Sequence, residues 1–206
     1  MKTFVIAEAG ANHNKNFKQA LALIDIAVDS GASACKFQTY SSETLYSKNT
    51  PDFAGYKNIN QLIKDIELPR EWQKDLKQYC DEKNIEFMST PFDEKAVDEL
   101  VSLGVKRLKI AGFESTDFRF VEMVASAKLP LIISLGIGFK YEYIDKLLQN
   151  FAPNEILIPK THKMQFKESF GEDFNTFYLE DWIYKEDYAL ETLTNHFQTD
   201  RKSTRL

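Results

Sequence analysis

The sequence predicts an α/β fold on parallel strands: an incomplete TIM-type (β/α) barrel with five to six strand–helix units. Three observations carry that prediction. Apolar strands alternate with amphipathic helices over short connections. The strands are near-continuous apolar runs, as expected when both sheet faces are covered. Polar or charged residues close one strand after another, at Ile-Ala-Glu-Ala-Gly (6–10), Lys-Phe-Gln-Thr (36–39) and Lys-Ile-Ala-Gly-Phe-Glu (109–114). A doubly wound sheet satisfies the first two observations. The third favours a barrel, whose active groups sit at the carboxyl ends of several strands, over a sheet with a single switch point. A closed barrel needs eight units and roughly 250 residues, more than the 206 residues here provide.

The elements justify themselves in order. Residues 4–7 form a short apolar strand. Ala20, Leu23, Ile24, Ala27 and Val28 recur at helical spacing within 16–30, and Gly31 ends that helix. Residues 34–39 are the second strand. A polar loop over 41–60 precedes a short helix at 59–65. Pro69 opens a helix through Lys83, since a first-turn proline sacrifices no hydrogen bond. Strand three covers 85–89. Asp93 starts a helix to Leu103 that Gly104 closes, and strand four covers 107–111. A helix at 118–127, a strand at 130–134, a helix at 142–151 and a strand at 156–158 complete the regular part.

The pattern then changes. Seven of the eight glycines lie at or before residue 138. Beyond 159 come Phe166, Phe170, Phe174, Phe177, Tyr178, Trp182, Tyr184, Tyr188 and Phe197 among acidic residues, with no clear strand–helix repeat. Two regions are therefore expected: a partial barrel over 1–158 and an atypical aromatic and acidic segment over 159–206, its polar end frayed. The stretch 166–188 reads as helix faces packing together, as a partner surface, or as replacement sequence from a fusion or frameshift.

Composition narrows the function classes. The net charge of −5 argues against nucleic acid as the main partner, because phosphate recognition usually needs a basic face. No apolar run approaches the ~18 residues of a membrane span. Glu8 interrupts the first apolar run too early for a signal peptide, so the start reads as a strand. Cys35 and Cys80 are too few for a disulfide framework, and a reducing cytoplasm is expected.

Among the rim residues, Lys36 and Lys109 lie inside apolar strands, where an ammonium is costly without an anionic partner. That partner is either a structural carboxylate or a ligand. Glu8 handles or orients a substrate, or it pairs with one of these lysines and shapes the site. Thr39 alternates away from Gln38 and reads as structural. His13, between two asparagines, reads as a turn or capping group.

Five motifs in order now point to a family. Ile-Ala-Glu-Ala-Gly-Ala-Asn-His-Asn (6–14), Lys-Phe-Gln-Thr-Tyr (36–40), Ser-Thr-Pro-Phe-Asp (89–93), Lys-Ile-Ala-Gly-Phe-Glu (109–114) and Pro-Leu-Ile-Ile-Ser-Leu-Gly (130–136) resemble the barrel domain of the sialic acid synthases. These include the legionaminic and pseudaminic acid synthases, and the resemblance covers about three quarters of the chain. It implies condensation of phosphoenolpyruvate with an N-acylated amino sugar, such as N-acetylmannosamine, to a nine-carbon 2-keto sugar acid with release of phosphate. It further implies a divalent metal, manganese or magnesium, which would polarise the aldehyde and position water.

The resemblance assigns Lys36, Thr90, Lys109 and Ser134 to phosphoenolpyruvate, and Phe92 to a wall of the sugar pocket. Gly112 stands where a serine is common, leaving only its backbone N–H for phosphate. Glu8, Gln38 and Glu114 are the candidate catalytic residues. Gly136 and Gly138 would allow close backbone approach, and Lys15 stands where the first motif usually continues with glycine. The family's metal-binding histidines lie on the last two strands of its barrel. His162 and His196 stand in no matching motif and read as surface residues, so no metal ligand is assigned. Three alternatives stay open: an active synthase completed by a partner subunit in a homo-oligomer, a truncated non-catalytic remnant, and another phosphoenolpyruvate- or aldehyde-using lyase on a similar barrel.

Overall fold

The structure, a computed structural model, describes residues 3–50, 57–134, 144–145, 148–149 and 153–180. Its described chain divides into two compact units, Met1–Gly138 and Phe139–Leu206.

In the first unit, β1 (Ile6–Gly10), β2 (Ala34–Thr39) and β3 (Glu86–Pro91) form a parallel sheet in the order β1-β2-β3. A second parallel pair joins β4 (Leu108–Ile110) to β5 (Leu131–Ile133). β3 lies against β4, and Arg107 grips the Glu86 carboxylate through Nε at 2.6 Å and a second guanidinium nitrogen at 3.2 Å, tying the starts of these strands together.

The helices follow their apolar periods. α1 (Phe17–Asp29) buries Ala20, Ile24 and Ala27 at spacings of four and three, and the Asn16 side chain caps it by accepting from Gln19 N–H. Gly31 takes φ +73° just past its end. α2 (Ile59–Ile66) is capped by Asn58. α3 (Trp72–Glu82) buries Gln73, Leu76 and Cys80. α4 (Glu94–Ser102) buries Ala96, Val97 and Leu100 behind an Asp93 cap. α5 (Phe118–Ser126) buries Phe120, Val121 and Val124 behind an Asp117 cap.

Several boundaries correct the sequence reading. β1 is displaced toward Gly10, because a bulge between Glu8 and Gly10 keeps the ladder to β2 running. α3 begins at Trp72 and not at Pro69: the N–H groups of Trp72 and Gln73 donate three residues back to Pro69 and Arg70, forming a tight turn ahead of the helix. β3 extends to Pro91, and just past it the N–H of Phe92 donates to Thr39 O on β2 at 3.1 Å. The helix expected over 142–151 and the glycines at 136 and 138 lie largely or wholly outside the described residues.

The second unit overturns the expectation of no strand–helix repeat beyond 159. β6 (Ile156–Pro159) leads through a 3-10 turn into α6 (Lys163–Phe170) and on to β7 (Thr176–Leu179), which pairs in parallel with β6. Leu148, Ile158 and Phe166 form its core, with Ile144, Ile156, Phe170, Phe174 and Tyr178 packed around them. The repeat was hidden because its core is aromatic and its strands are only four residues long. The expected division after 158 falls inside β6, whose ladder partner is β7.

Candidate functional site

Strand pairing sets the site. Glu8 on β1 stands beside Lys36 on β2, and Gln38, two residues on, stands beside Thr90 on β3. The period of two gives Lys36 and Gln38 a common face. Cys35, Phe37 and Thr39 point the other way. Phe37 stacks on Phe87 at 5.9 Å and lies 6.3 Å from His13, while Thr39 Oγ1 and Ser89 Oγ share a 2.8 Å hydrogen bond. That face is dry: burial, with Glu8 adding to it, pushes the Cys35 thiol up to about 12.

On the polar face, Lys36 is 3% exposed. Its ammonium forms an ion pair with Glu8 and donates to Thr90 Oγ1 at 3.4 Å. An ammonium has three N–H donors, and among the described residues Glu8 and Thr90 occupy two. The Glu8 side chain is 49% exposed, so the carboxylate stays solvated on one side. Gly10 explains how the carboxylate fits: a Cβ there would meet Glu8 Oε1 at 3.3 Å, and Gly10 has φ +54°. Gly10 is the supporting residue that the sequence reading passed over, although the Glu-Ala-Gly order carried the signal.

Lys109 on β4 is the second cation. Burial depresses its ammonium below the usual lysine range, the charge of Lys36 depresses it further, and Glu8 partly offsets both. The lysines and Glu8 thus sense one another, and the shared face holds two ammonium groups against one described carboxylate. Such a face favours an anion.

The remaining candidates follow the ends of β3, β4 and β5. Ser134 directly follows β5, and its N–H donates to Ile110 O at the end of β4. Phe92 follows β3 and meets Tyr40 edge-on at 5.7 Å. Gly112 lies in the turn after β4, its carbonyl accepting from Ser115 Oγ at 2.7 Å. Glu114 begins the 3-10 turn Glu114–Thr116, where burial raises its carboxyl above the usual range. Its Oε2 is buried with no hydrogen-bond partner among the described residues. Beside it Phe113 is 88% exposed.

His13 is buried, and its Nδ1 accepts from Lys15 N–H at 3.1 Å, so it serves the turn after β1. Lys15 adopts φ +53° there, in the left-handed region that glycine occupies at less cost. Among the described residues no three His, Cys, Asp or Glu side chains gather to hold a metal ion. His162 is exposed on the 3-10 turn after β6, and His196 lies outside the described residues. These residues do not fit a resident metal.

Residues 23–155 match the model of the NeuB family, about two thirds of the chain. The chain belongs to the NeuB family. This NeuB-family chain is 45% identical over 145 residues to the N,N'-diacetyllegionaminic acid synthase of Legionella pneumophila, a match covering 66% of this chain and 40% of that protein. By shape it resembles the N-acetylneuraminic acid (sialic acid) synthetase of Leptospira borgpetersenii, with TM-score 0.71 and 29% identity, covering 87% of this chain and 65% of that one. A different relative also matches. The chain is 75% identical over 59 residues to the DNA mismatch repair protein MutS of Flavobacterium psychrophilum, covering 29% of this chain and 7% of that protein. The chain thus spans about two fifths of the length of its Legionella synthase relative.

Proposed function

We propose that the polar face of the first unit binds phosphoenolpyruvate, and that the reaction it serves is condensation of phosphoenolpyruvate with an N-acylated amino sugar of the N-acetylmannosamine class. The observation that carries this reading is buried Lys36, held by Glu8 and Thr90, with a second, charge-suppressed ammonium at Lys109. Phosphoenolpyruvate carries about three negative charges, on carboxylate and phosphate. Two converging ammonium groups in a low-dielectric setting match that ligand better than a neutral one.

In this reaction carbon 3 of phosphoenolpyruvate attacks the sugar aldehyde, forming the new C–C bond while the aldehyde oxygen takes a proton. Water adds to carbon 2, and the C–O bond to phosphate then breaks. The products are the 2-keto acid and inorganic phosphate. Within it, Lys36, Thr90 and Lys109 hold phosphoenolpyruvate, with Ser134 and the Gly112 backbone at the strand ends beside them. Gln38 and Phe92 line the sugar side. Glu114, whose buried carboxyl favours the protonated form, is suited to donate to the aldehyde oxygen. Glu8 pairs with the Lys36 ammonium and holds it in place.

The test is release of phosphate from phosphoenolpyruvate by the full chain with N-acetylmannosamine, with and without manganese, beside Lys36→Ala. Release that requires the sugar and Lys36 is the expected result. A second reading is a face that binds phosphoenolpyruvate without turnover. It predicts binding that needs Lys36 and no sugar-dependent release.

A further inference from the structure

We propose that Lys109 is a nucleophilic amine, and that the polar face of the first unit captures a 2-oxo acid of the pyruvate class as a lysine imine. This goes beyond the phosphoenolpyruvate reading, in which Lys109 is only a charged contact. It rests on the two-lysine face and not on that reading.

The strand places the amine. Leu108 and Ile110 are fully buried on one face of β4, so the period of two turns Lys109 to the other. Lys109 is only partly buried there, and among the described residues no hydrogen bond or ion pair occupies its Nζ. Lys36 differs. It is buried, and Glu8 and Thr90 hold its ammonium. One lysine is thus tied down as a fixed charge, while the other keeps an unengaged amine. Burial and the Lys36 charge both favour loss of a proton from Lys109, and Glu8 offsets them only in part. A desolvated lysine beside a second cation keeps a share of unprotonated, nucleophilic amine near neutral pH.

The step needs no cofactor. The Nζ lone pair attacks carbon 2 of the 2-oxo acid. The carbonyl π pair moves to oxygen, which takes a proton given up by the nitrogen, and a carbinolamine forms. Its C–O bond then breaks, the hydroxyl leaves as water with the second nitrogen proton, and the C=N bond closes. Among the described residues Glu8 and Thr90 take two of the three Lys36 N–H donors, which leaves one for the carboxylate of the 2-oxo acid. Phosphoenolpyruvate has no carbonyl at carbon 2 and cannot form this bond.

The test incubates the full chain at pH 7 with pyruvate and sodium cyanoborohydride, which reduces an imine to a stable secondary amine. Peptide mass spectrometry then locates the added carboxyethyl group. Labelling of Lys109 is expected to run at least tenfold above that of Lys83 and Lys167, whose partners Asp25 and Glu172 make their ammonium groups harder to deprotonate. Lys36→Met removes both the neighbouring charge and the carboxylate anchor, and should slow labelling of Lys109 severalfold. Labelling of Lys109 no faster than that of Lys83 and Lys167 would overturn the proposal, and the parent chain alone decides this. Added phosphoenolpyruvate separates the two readings. Protection of Lys109 supports both, whereas undiminished labelling supports the imine and counts against phosphoenolpyruvate at this face.

Discussion

Lys36 can be buried because its charge is answered on the spot. Glu8 supplies the opposite charge, Thr90 accepts a hydrogen bond, and Gly10 leaves room for the carboxylate. Lys109 lacks so complete an answer among the described residues, and its lowered proton affinity records that deficit. A bound anion would supply it, and this gives a pH signature. The ligand needs the ammonium charged, so phosphoenolpyruvate affinity should fall as pH rises through the lowered Lys109 value, below the 10.5 of an ordinary lysine. Calorimetric titrations between pH 7 and 10 would check it, and affinity flat across that range would count against Lys109 as a contact. Glu114 has the opposite sign. Its raised pKa means the folded state prefers the protonated carboxyl. Stability is therefore full below the usual 4.5 and is lost as pH climbs through the folded value. Glu114→Gln should melt higher than the parent at pH 7, with the gap closing below pH 4.5. Melting curves at the two pH values read this directly, and a variant less stable at pH 7 would show that the carboxylate has a partner there.

At the scale of elements, Asp93 does two jobs. Its carboxylate caps α4 by accepting from Ala96 N–H at 2.7 Å, and it pairs with Arg70, which also reaches Glu99 at 2.9 Å. Asp93→Ala should cost about 1–2 kcal/mol in urea denaturation, and Asp93→Asn less, since asparagine keeps the cap. Equal losses would place the main contribution in the ion pair. Helix bounds were legible in the sequence: Asp93 marks the start of its helix, and α1, α4 and α5 fall within two residues of expectation. β2 matches residue for residue, because five of its six residues are buried. What escaped depends on geometry that no local pattern encodes. The bulge at Glu8 lengthens β1 through pairing with β2. The Pro69–Glu71 stretch resembles a helical first turn but closes as a tight turn. The Phe166 cluster hides a strand–helix–strand unit inside a composition that reads as irregular. For the site, the sequence brought Lys36 and Lys109 to one face through strand-end placement. It left Glu8 open between a substrate role and an ion pair with Lys36 or Lys109, and Glu8 pairs with Lys36.

At the scale of the whole molecule, the chain carries two cores. The synthase-like unit packs its apolar helix faces against parallel strands and keeps its polar face for charge. The other unit buries aromatic rings between β6, α6 and β7. No helix among the described residues is long and apolar enough to cross a membrane. The central claim, that the polar face of the first unit takes phosphoenolpyruvate through Lys36, is open to one direct measurement. Phosphoenolpyruvate is titrated calorimetrically into the full chain and into Lys36→Met, which keeps the apolar stem and removes the charge. Loss of a hydrogen bond to a charged group is worth about 1.5–3 kcal/mol, so the variant should bind about tenfold to a hundredfold more weakly. Its melting temperature should hold within a few degrees, since the Glu8 carboxylate left without its partner is 49% exposed and stays solvated. Binding of equal strength to the parent and to a folded Lys36→Met would contradict the account.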